Sequence, residues 1–349
     1  MEIPIGNVYY LLAYAWGHLQ DQDVVDASEV HELDRAQDLL GLVLSRGVSR
    51  LFRRGVDRDY QERREDLRGL RGRVHLSEYA GRALKARSVI PCVYEELSVD
   101  VLHNRILKST LGLLLRVEEL DPTVRSSVRR AYRDLVGVQE VRLHRGVFGQ
   151  VQLDRNRRDY RFLLQLCRLV FESTALDEES GALRFHDFRR SQARMHALFE
   201  QFICGFYARE QEHFAVNGTS RRIPWRGGFG ATERDERFIP RMEADVLLDS
   251  DDRRLVLDAK FYKEAFQSRG ESHPKVRNGH LYQLLAYLRN RDAQYPLGAR
   301  HEGVLLYPVV EYTIEVNMVL EGYRIRAAGI DLTRPWQRIH SDLLRVLGS

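Results

Sequence analysis

The chain has 349 residues, 44% of them hydrophobic and 30% charged, with 54 Lys plus Arg against 50 Asp plus Glu and a net charge of +4. That length suggests two domains, and the balance is that of a soluble globular protein, mildly basic, neither disordered nor fibrous. No run approaches the ~18 apolar residues of a membrane span, and Cys92, Cys167 and Cys204 are too scattered for a disulfide framework or a zinc site, so a leaderless cytoplasmic protein without a membrane partner is expected.

The predicted elements run as follows. Residues 3–16 open extended and continue as a helix, with Val8, Leu11, Leu12 and Ala15 at helical spacing. The aromatic residues there read as core. A second apolar helix spans Leu39 to Phe52 and stops near Gly55. Asp57–Arg63 and Arg71–Leu76 read as short strands or edge segments, and Val89–Tyr94 as a strand. Ser98–Leu120 is the clearest helix of the first half, with Ser98 as its cap and Asp121-Pro122 as its stop. Helices over Thr123–Leu135 and Asp159–Phe171 follow. At Leu176–Ala182 polar residues replace the apolar pattern, so we place a boundary there, giving domains 1–180 and 181–349.

The second half carries the chemistry. Met195–Arg209 reads as an amphipathic helix bearing Glu200. Glu243–Leu248 and Arg254–Tyr262 read as two strands joined by the turn formers Asp249–Asp252. Side chains alternate along a strand, so Asp258 and Lys260 share a face, roughly 7 Å apart. With the right register Asp245 lies beside Asp258. Two adjacent carboxylates repel unless a cation sits between them, and hard oxygen ligands with positions left for water and phosphate suit Mg²⁺. A lysine beside such a site can orient a water and stabilise charge on a phosphate under attack. Only five lysines occur in the chain, Lys85, Lys108, Lys260, Lys263 and Lys275, and one of them stands where this chemistry wants one.

Asp245 followed by Asp258-Ala-Lys260 resembles the PD-(D/E)xK nuclease signature. Glu200 matches the acidic residue such nucleases carry on their first core helix, and Gln283-Leu-Leu-Ala-Tyr287 resembles the Gln-x-x-x-Tyr helix motif of RecB-type nucleases, its two polar residues on one helix face. Further matches extend over nearly the whole chain. Residues 3–16, Leu70-Arg-Gly-Arg-Val74, Cys92 to Asp100, Asn104 to Thr110, Arg241 to Asp245, Val256 to Tyr262, Leu281 to Leu288 and Gly303 to Pro308 are similar, in order, to segments of the McrC family. The resemblance implies an α/β (α+β) protein: an N-terminal elongated mixed stalk domain, then a PD-(D/E)xK nuclease domain with a mixed central sheet flanked by helices.

The resemblance also implies function. The stalk enters the pore of a hexameric McrB-like AAA+ GTPase ring and stimulates GTP hydrolysis there, and the second domain cuts double-stranded, methylated DNA. GTP belongs to the partner, and this chain has no Gly-x-x-x-x-Gly-Lys-Ser/Thr loop. Asp245, Asp258 and the Ala259 carbonyl are the expected Mg²⁺ ligands. Lys260 is expected to position or activate the water, while Glu200 and Gln283 shape the metal and water environment. The resemblance adds Tyr287, the second residue of the Gln-x-x-x-Tyr motif, as a further member of the group. Two other readings stay open: a non-catalytic activator of the ring, and a stand-alone RecB-like nuclease. Gly227-Gly-Phe-Gly230 reads as a flexible surface connection, and His273, His280 and His301 as surface or DNA-proximal groups.

Overall fold

The structure is a computed structural model. It describes residues 3–17, 30, 33–74, 90–154, 157–176, 182–217, 222–226, 232–261, 275–294, 299–309 and 315–348. The chain divides into two compact units, one formed by Met1–Leu39 with Asp187–Ser349 and the other by Leu40–His186. The exit near residue 186 lies close to the expected boundary. The first 39 residues, expected in the N-terminal domain, belong instead to the unit of the second half. Among the described residues no helix is long and apolar enough to cross a membrane.

Helix α1 (Ile5–Ala15) comes first, and α2 (Ala36–Arg54) carries the chain into the second unit. There β1 (Asp59–Leu67), β2 (Arg73–Val74) and β3 (Ile90–Ser98) form an antiparallel sheet in the order β1-β3-β2. Helices α3 (Leu102–Leu115), α4 (Pro122–Asp134) and α5 (Arg158–Ser173) follow, then the small hairpin of β4 (Thr174–Leu176) and β5 (Leu183–Phe185). Helix α3 is capped at Val101, three residues later than the expected Ser98, and the Ser98 hydroxyl instead accepts from the Asp100 N–H and shapes the entry turn. Helix α3 stops at Leu115, short of the expected Leu120, so Asp121 does not end it but caps the next helix. The Asp121 side chain accepts from the N–H groups of Thr123 and Val124, and Pro122 takes the first helical position of α4, where its missing N–H costs nothing.

The Asn104–Thr110 segment holds this unit together. Asn104 is fully buried. Its Nδ2 donates to the carbonyls of Asp57 (3.0 Å) and Val99 (2.8 Å), and its Oδ1 accepts from the Tyr160 hydroxyl at 2.9 Å. Lys108 Nζ donates to the carbonyls of Leu135 (2.9 Å) and Val138 (2.7 Å), just past the end of α4, where a helix leaves acceptors unsatisfied. Asp100 takes a two-pronged contact from Arg105, which with its other donors holds the carboxyl below its ordinary range. These polar residues have structural work in the fold.

In the other unit, α6 (Gln192–Glu210) leads to β6 (Ala215–Val216), β7 (Arg222–Ile223), β8 (Met242–Glu243), β9 (Val246–Asp249) and β10 (Arg253–Ala259). Helix α7 (Asn278–Asp292), β11 (Arg300–Val309), β12 (Glu315–Leu320), β13 (Tyr323–Asp331) and α8 (Trp336–Val346) complete it. Six strands form one sheet in the order β12-β13-β11-β10-β9-β6. The β10–β11 and β11–β13 pairs are parallel and the rest antiparallel, so the sheet is mixed. One face packs on α7 through Leu247, Val256, Leu284, Leu288, Leu305 and Ile325. That packing is close: a Cβ on Gly303 would stand 2.8 Å from Leu284. On the other face Phe261 meets Phe199 of α6, and the Tyr207 hydroxyl of α6 donates to Leu343 of α8.

Helix α1 seats in this same layer. Tyr10 stacks on Trp336 with ring centroids 4.5 Å apart, and Tyr14 meets Phe202, Phe206 and Trp336. Buried Asn7 donates to the carbonyls of Leu332 and Arg334, both at 2.8 Å. The Tyr14 hydroxyl donates to Glu210, which also faces His340 at 3.0 Å. Of the aromatic residues in the opening segment Tyr14 is core as expected, whereas Tyr9, Tyr10 and Trp16 are only half-buried, and the core they border is that of the C-terminal half.

Candidate active site

The β9–β10 hairpin turns where its acidic loop suggested, with Ser250 N–H donating to Arg253 O at 2.9 Å. Along β10, Val256, Asp258 and Lys260 face α7, while Leu257, Ala259 and Phe261 face the other way, the period of two that a strand imposes. Asp245 does not sit within a continuous strand. Met242 and Glu243 pair with β7, Val246 onward pairs with β10, and Asp245 lies in the step between the two ladders. The β9–β10 register, carried one residue past its last pair of Leu257 and Val246, brings Asp245 opposite Asp258.

Side-chain contacts close the group. Asp245 Oδ2 accepts from the Ala259 N–H at 2.6 Å, replacing the lost ladder bond. The Asp245 and Asp258 carboxyl groups lie close enough to act on each other electrostatically. Lys260 Nζ lies 2.7 Å from Asp258 Oδ2 and donates to Gln283 Oε1 at 2.9 Å. Gln283 Nε2 donates to the Tyr287 hydroxyl at 2.7 Å, which donates to the Glu243 carbonyl at 3.0 Å. Asp258 and Lys260 are 2% and 7% exposed, so this charge pair sits out of bulk water.

Burial, then the nearby charges of Asp258 and Glu200, push the Asp245 carboxyl up to about 8. Burial raises Asp258 as well, against the pull of Lys260. Two carboxyl groups this close resist ionising together, and burial and mutual repulsion both favour a proton on Asp245. For Lys260, burial acts to lower the amine, but the Asp258 carboxylate outweighs it and the amine stays charged.

A pH dependence follows. The folded value for Asp245 lies above the unfolded value of 3.8, so between 3.8 and about 8 the folded state keeps a proton that the unfolded chain has released. The contribution is full below the lower value and lost as pH rises through the upper one. Thermal midpoints in a chelator, compared between the wild type and Asp245→Asn, should show the wild type losing ground across that window. Parallel curves for the two proteins would defeat the assignment.

Glu200 approaches from α6. Its Oε1 pairs with His196 Nδ1 at 2.7 Å, and its charge is felt at Asp245. His196 escaped the sequence reading although it stands four residues before Glu200, on the same helix face. Its charge is felt at Asp258. His280 and His301 correct the expectation of surface groups. Both are buried, His280 against the Tyr307 hydroxyl at 2.9 Å and His301 with Asp292 at 3.5 Å. Burial, and then the charges of Lys260, Arg277 and His196, push His280 down to about 4, which keeps it neutral. His273 and Gly227–Gly230 lie outside the described residues.

Among the described residues, no three of His, Cys, Asp and Glu close into a metal-ligating cluster. Mg²⁺ asks for less: one or two carboxylates, with waters and substrate oxygens filling the remaining positions. Asp245 and Asp258, partly desolvated and mutually repelling once ionised, fit that requirement.

The chain matches the McrBC 5-methylcytosine restriction system component family over residues 8–308. It belongs to the McrBC family. An McrBC relative in Escherichia coli strain K12, the type IV methyl-directed restriction enzyme EcoKMcrBC, is 31% identical over 344 residues, 99% of this chain and 97% of the relative. A solved chain in the Thermococcus gammatolerans half-complex of McrB AAA+ hexamers with bound McrC superposes with a TM-score of 0.58 at 19% identity, covering 99% of this chain and 75% of that one. At that identity the superposition speaks for a shared McrBC fold alone.

Proposed function

We propose that this chain is the Mg²⁺-dependent DNA endonuclease subunit of a GTP-driven, modification-dependent restriction complex, and that it binds and stimulates an McrB-like AAA+ GTPase ring. The buried Asp245–Asp258–Lys260 group carries the nuclease part of this reading. Burying an ion pair is expensive, and nothing in the packing of the sheet asks for one at the end of β10. Family membership and the relatives' assembly, McrB hexamers with bound McrC, support the partner. The ring contact is assigned to the 40–186 unit, and the DNA contact to the unit holding the acidic pair.

Asp245, Asp258 and the Ala259 carbonyl would hold the metal. When bound, Mg²⁺ supplies Lewis acidity at the scissile phosphate and lowers the pKa of an attacking water. Lys260, kept protonated between Asp258 and Gln283, presents a positive charge to the phosphate as its oxygens gain negative charge. Glu200 adds carboxylate charge on the Asp245 side, and Gln283 fixes the amine. The test is Asp258→Ala in a complex reconstituted with the GTPase, methylated DNA, GTP and Mg²⁺. Cleavage should vanish while GTP turnover stays stimulated. Near-normal cutting would defeat the nuclease reading, and unchanged GTP turnover on adding the wild-type chain would defeat the partner reading.

A further inference from the structure

The hydrogen bonds behind Lys260 have a direction, and one residue sets it. A glutamine side chain is nearly symmetric in shape, so packing alone does not say which end of Gln283 faces the amine. Were its NH₂ turned toward Lys260, two donors would meet and a buried ammonium would lose a partner. The Tyr287 hydroxyl at the other end can either donate or accept, so it decides nothing by itself. The Glu243 carbonyl can only accept. The Tyr287 proton is committed to it at 3.0 Å, which leaves the hydroxyl oxygen free only to accept, from Gln283 Nε2 at 2.7 Å. The amide oxygen must then face Lys260, as it does at 2.9 Å. An acceptor-only carbonyl at one end and a donor-only ammonium at the other leave no member of the chain frustrated.

The two ends of this relay are also mechanically informative. Glu243 is the last residue of β8, two positions before Asp245, where the backbone steps between ladders. Lys260 follows directly on β10, and its N–H continues the strand pairing to Leu306 at 2.8 Å. Gln283 and Tyr287, one helical turn apart on α7, span the distance between them.

We propose that Tyr287 is a positioning residue whose hydroxyl fixes the orientation of the Gln283 amide, and so the place of the Lys260 amine, while pinning the backbone that delivers Asp245. This rests on the nuclease reading above. Tyr287 is 5% exposed and its ring belongs to the core around α7, so it acts through other groups and touches no reacting atom.

The experiment uses the full chain in the reconstituted complex, with Tyr287→Phe, Gln283→Leu, the double variant and Asp258→Ala. Phenylalanine keeps the ring and its packing, so thermal midpoint and the KM for DNA should stay near those of the wild type. The kcat for cleavage should fall about 10- to 100-fold, the scale of a small misplacement of a catalytic group. The double variant should lose much less than the product of the two single losses, because the hydroxyl works mainly through that amide. Cleavage by Tyr287→Phe within twofold of the wild type overturns the proposal, as do losses that multiply in the double variant, or a fall in rate that merely tracks a fall in midpoint. If Asp258→Ala is inactive and Tyr287→Phe is normal, this inference alone fails. If Asp258→Ala cuts, the nuclease reading fails with it.

Discussion

Lys260→Met is expected to lower DNA cleavage by about 10³-fold while leaving metal binding intact. Methionine keeps most of the stem and removes the ammonium, so the space along β10 stays filled. What is lost is the positive charge 2.7 Å from Asp258 and the donor to Gln283. The acidic pair then faces its own repulsion undiluted. Its protonated form is favoured further when no cation is present, and the folded state is weakened by roughly the 3–5 kcal/mol that breaking a buried pair costs. A divalent cation answers that repulsion, so the variant should bind Mg²⁺ or Ca²⁺ at least as tightly as the wild type and regain thermal stability on binding. Calorimetry without DNA and cleavage assays with the partner ring separate the two effects. Retained cleavage, or metal binding lost in parallel with it, would show that the amine does something else.

Gly205→Ala should destabilise the protein by about 3 kcal/mol or more, against the sign that helix propensity alone gives. In an unconstrained helix, alanine for glycine gains about 1 kcal/mol. Here a Cβ on Gly205 would stand 2.1 Å from the Tyr14 carbonyl oxygen and 2.8 Å from its carbon. Those are backbone atoms of α1 and cannot rotate aside, so the two helices must separate. Overpacking of this kind typically costs ~1–3 kcal/mol when side chains can give, and more when they cannot. Separation would also loosen the Tyr14–Phe206 and Tyr10–Trp336 contacts. Urea titrations of the two proteins give the answer, and a variant more stable than the wild type would refute the close seating of α1. The same seating predicts that a fragment beginning at residue 181 is a poor nuclease domain, because it lacks α1.

Much of the second half was legible because its local signals agree with its tertiary structure. Turn formers at Asp249–Asp252 stand between two apolar runs, and the period of two places Asp258 and Lys260 on one face. The step at Asp245 was not legible. Glu243-Ala-Asp245 contains neither glycine nor proline, and the break arises because Glu243 pairs with Arg222 of another ladder, a choice made far along the chain. His280 and His301 read as surface groups because lone histidines usually are. Their burial depends on Tyr307 and Asp292, one contributed by a later strand and the other by a preceding helix. For α1 the periodicity announced an apolar face, but no pattern in sixteen residues can say what will cover it. The polar residues of Asn104–Thr110 stood out only by resemblance, and their hydrogen bonds give them structural duties in the 40–186 unit.

The seating of α1 also has a temporal side. Asn7 bonds to the carbonyl of Leu332, 325 positions downstream. Ribosomes add ~5–20 residues per second, so Asn7 emerges roughly a quarter of a minute to a minute before its acceptors at Leu332 and Arg334 exist. During translation α1 can meet α6 only after more than half of the chain is made, and its seat against Trp336 of α8 is completed last.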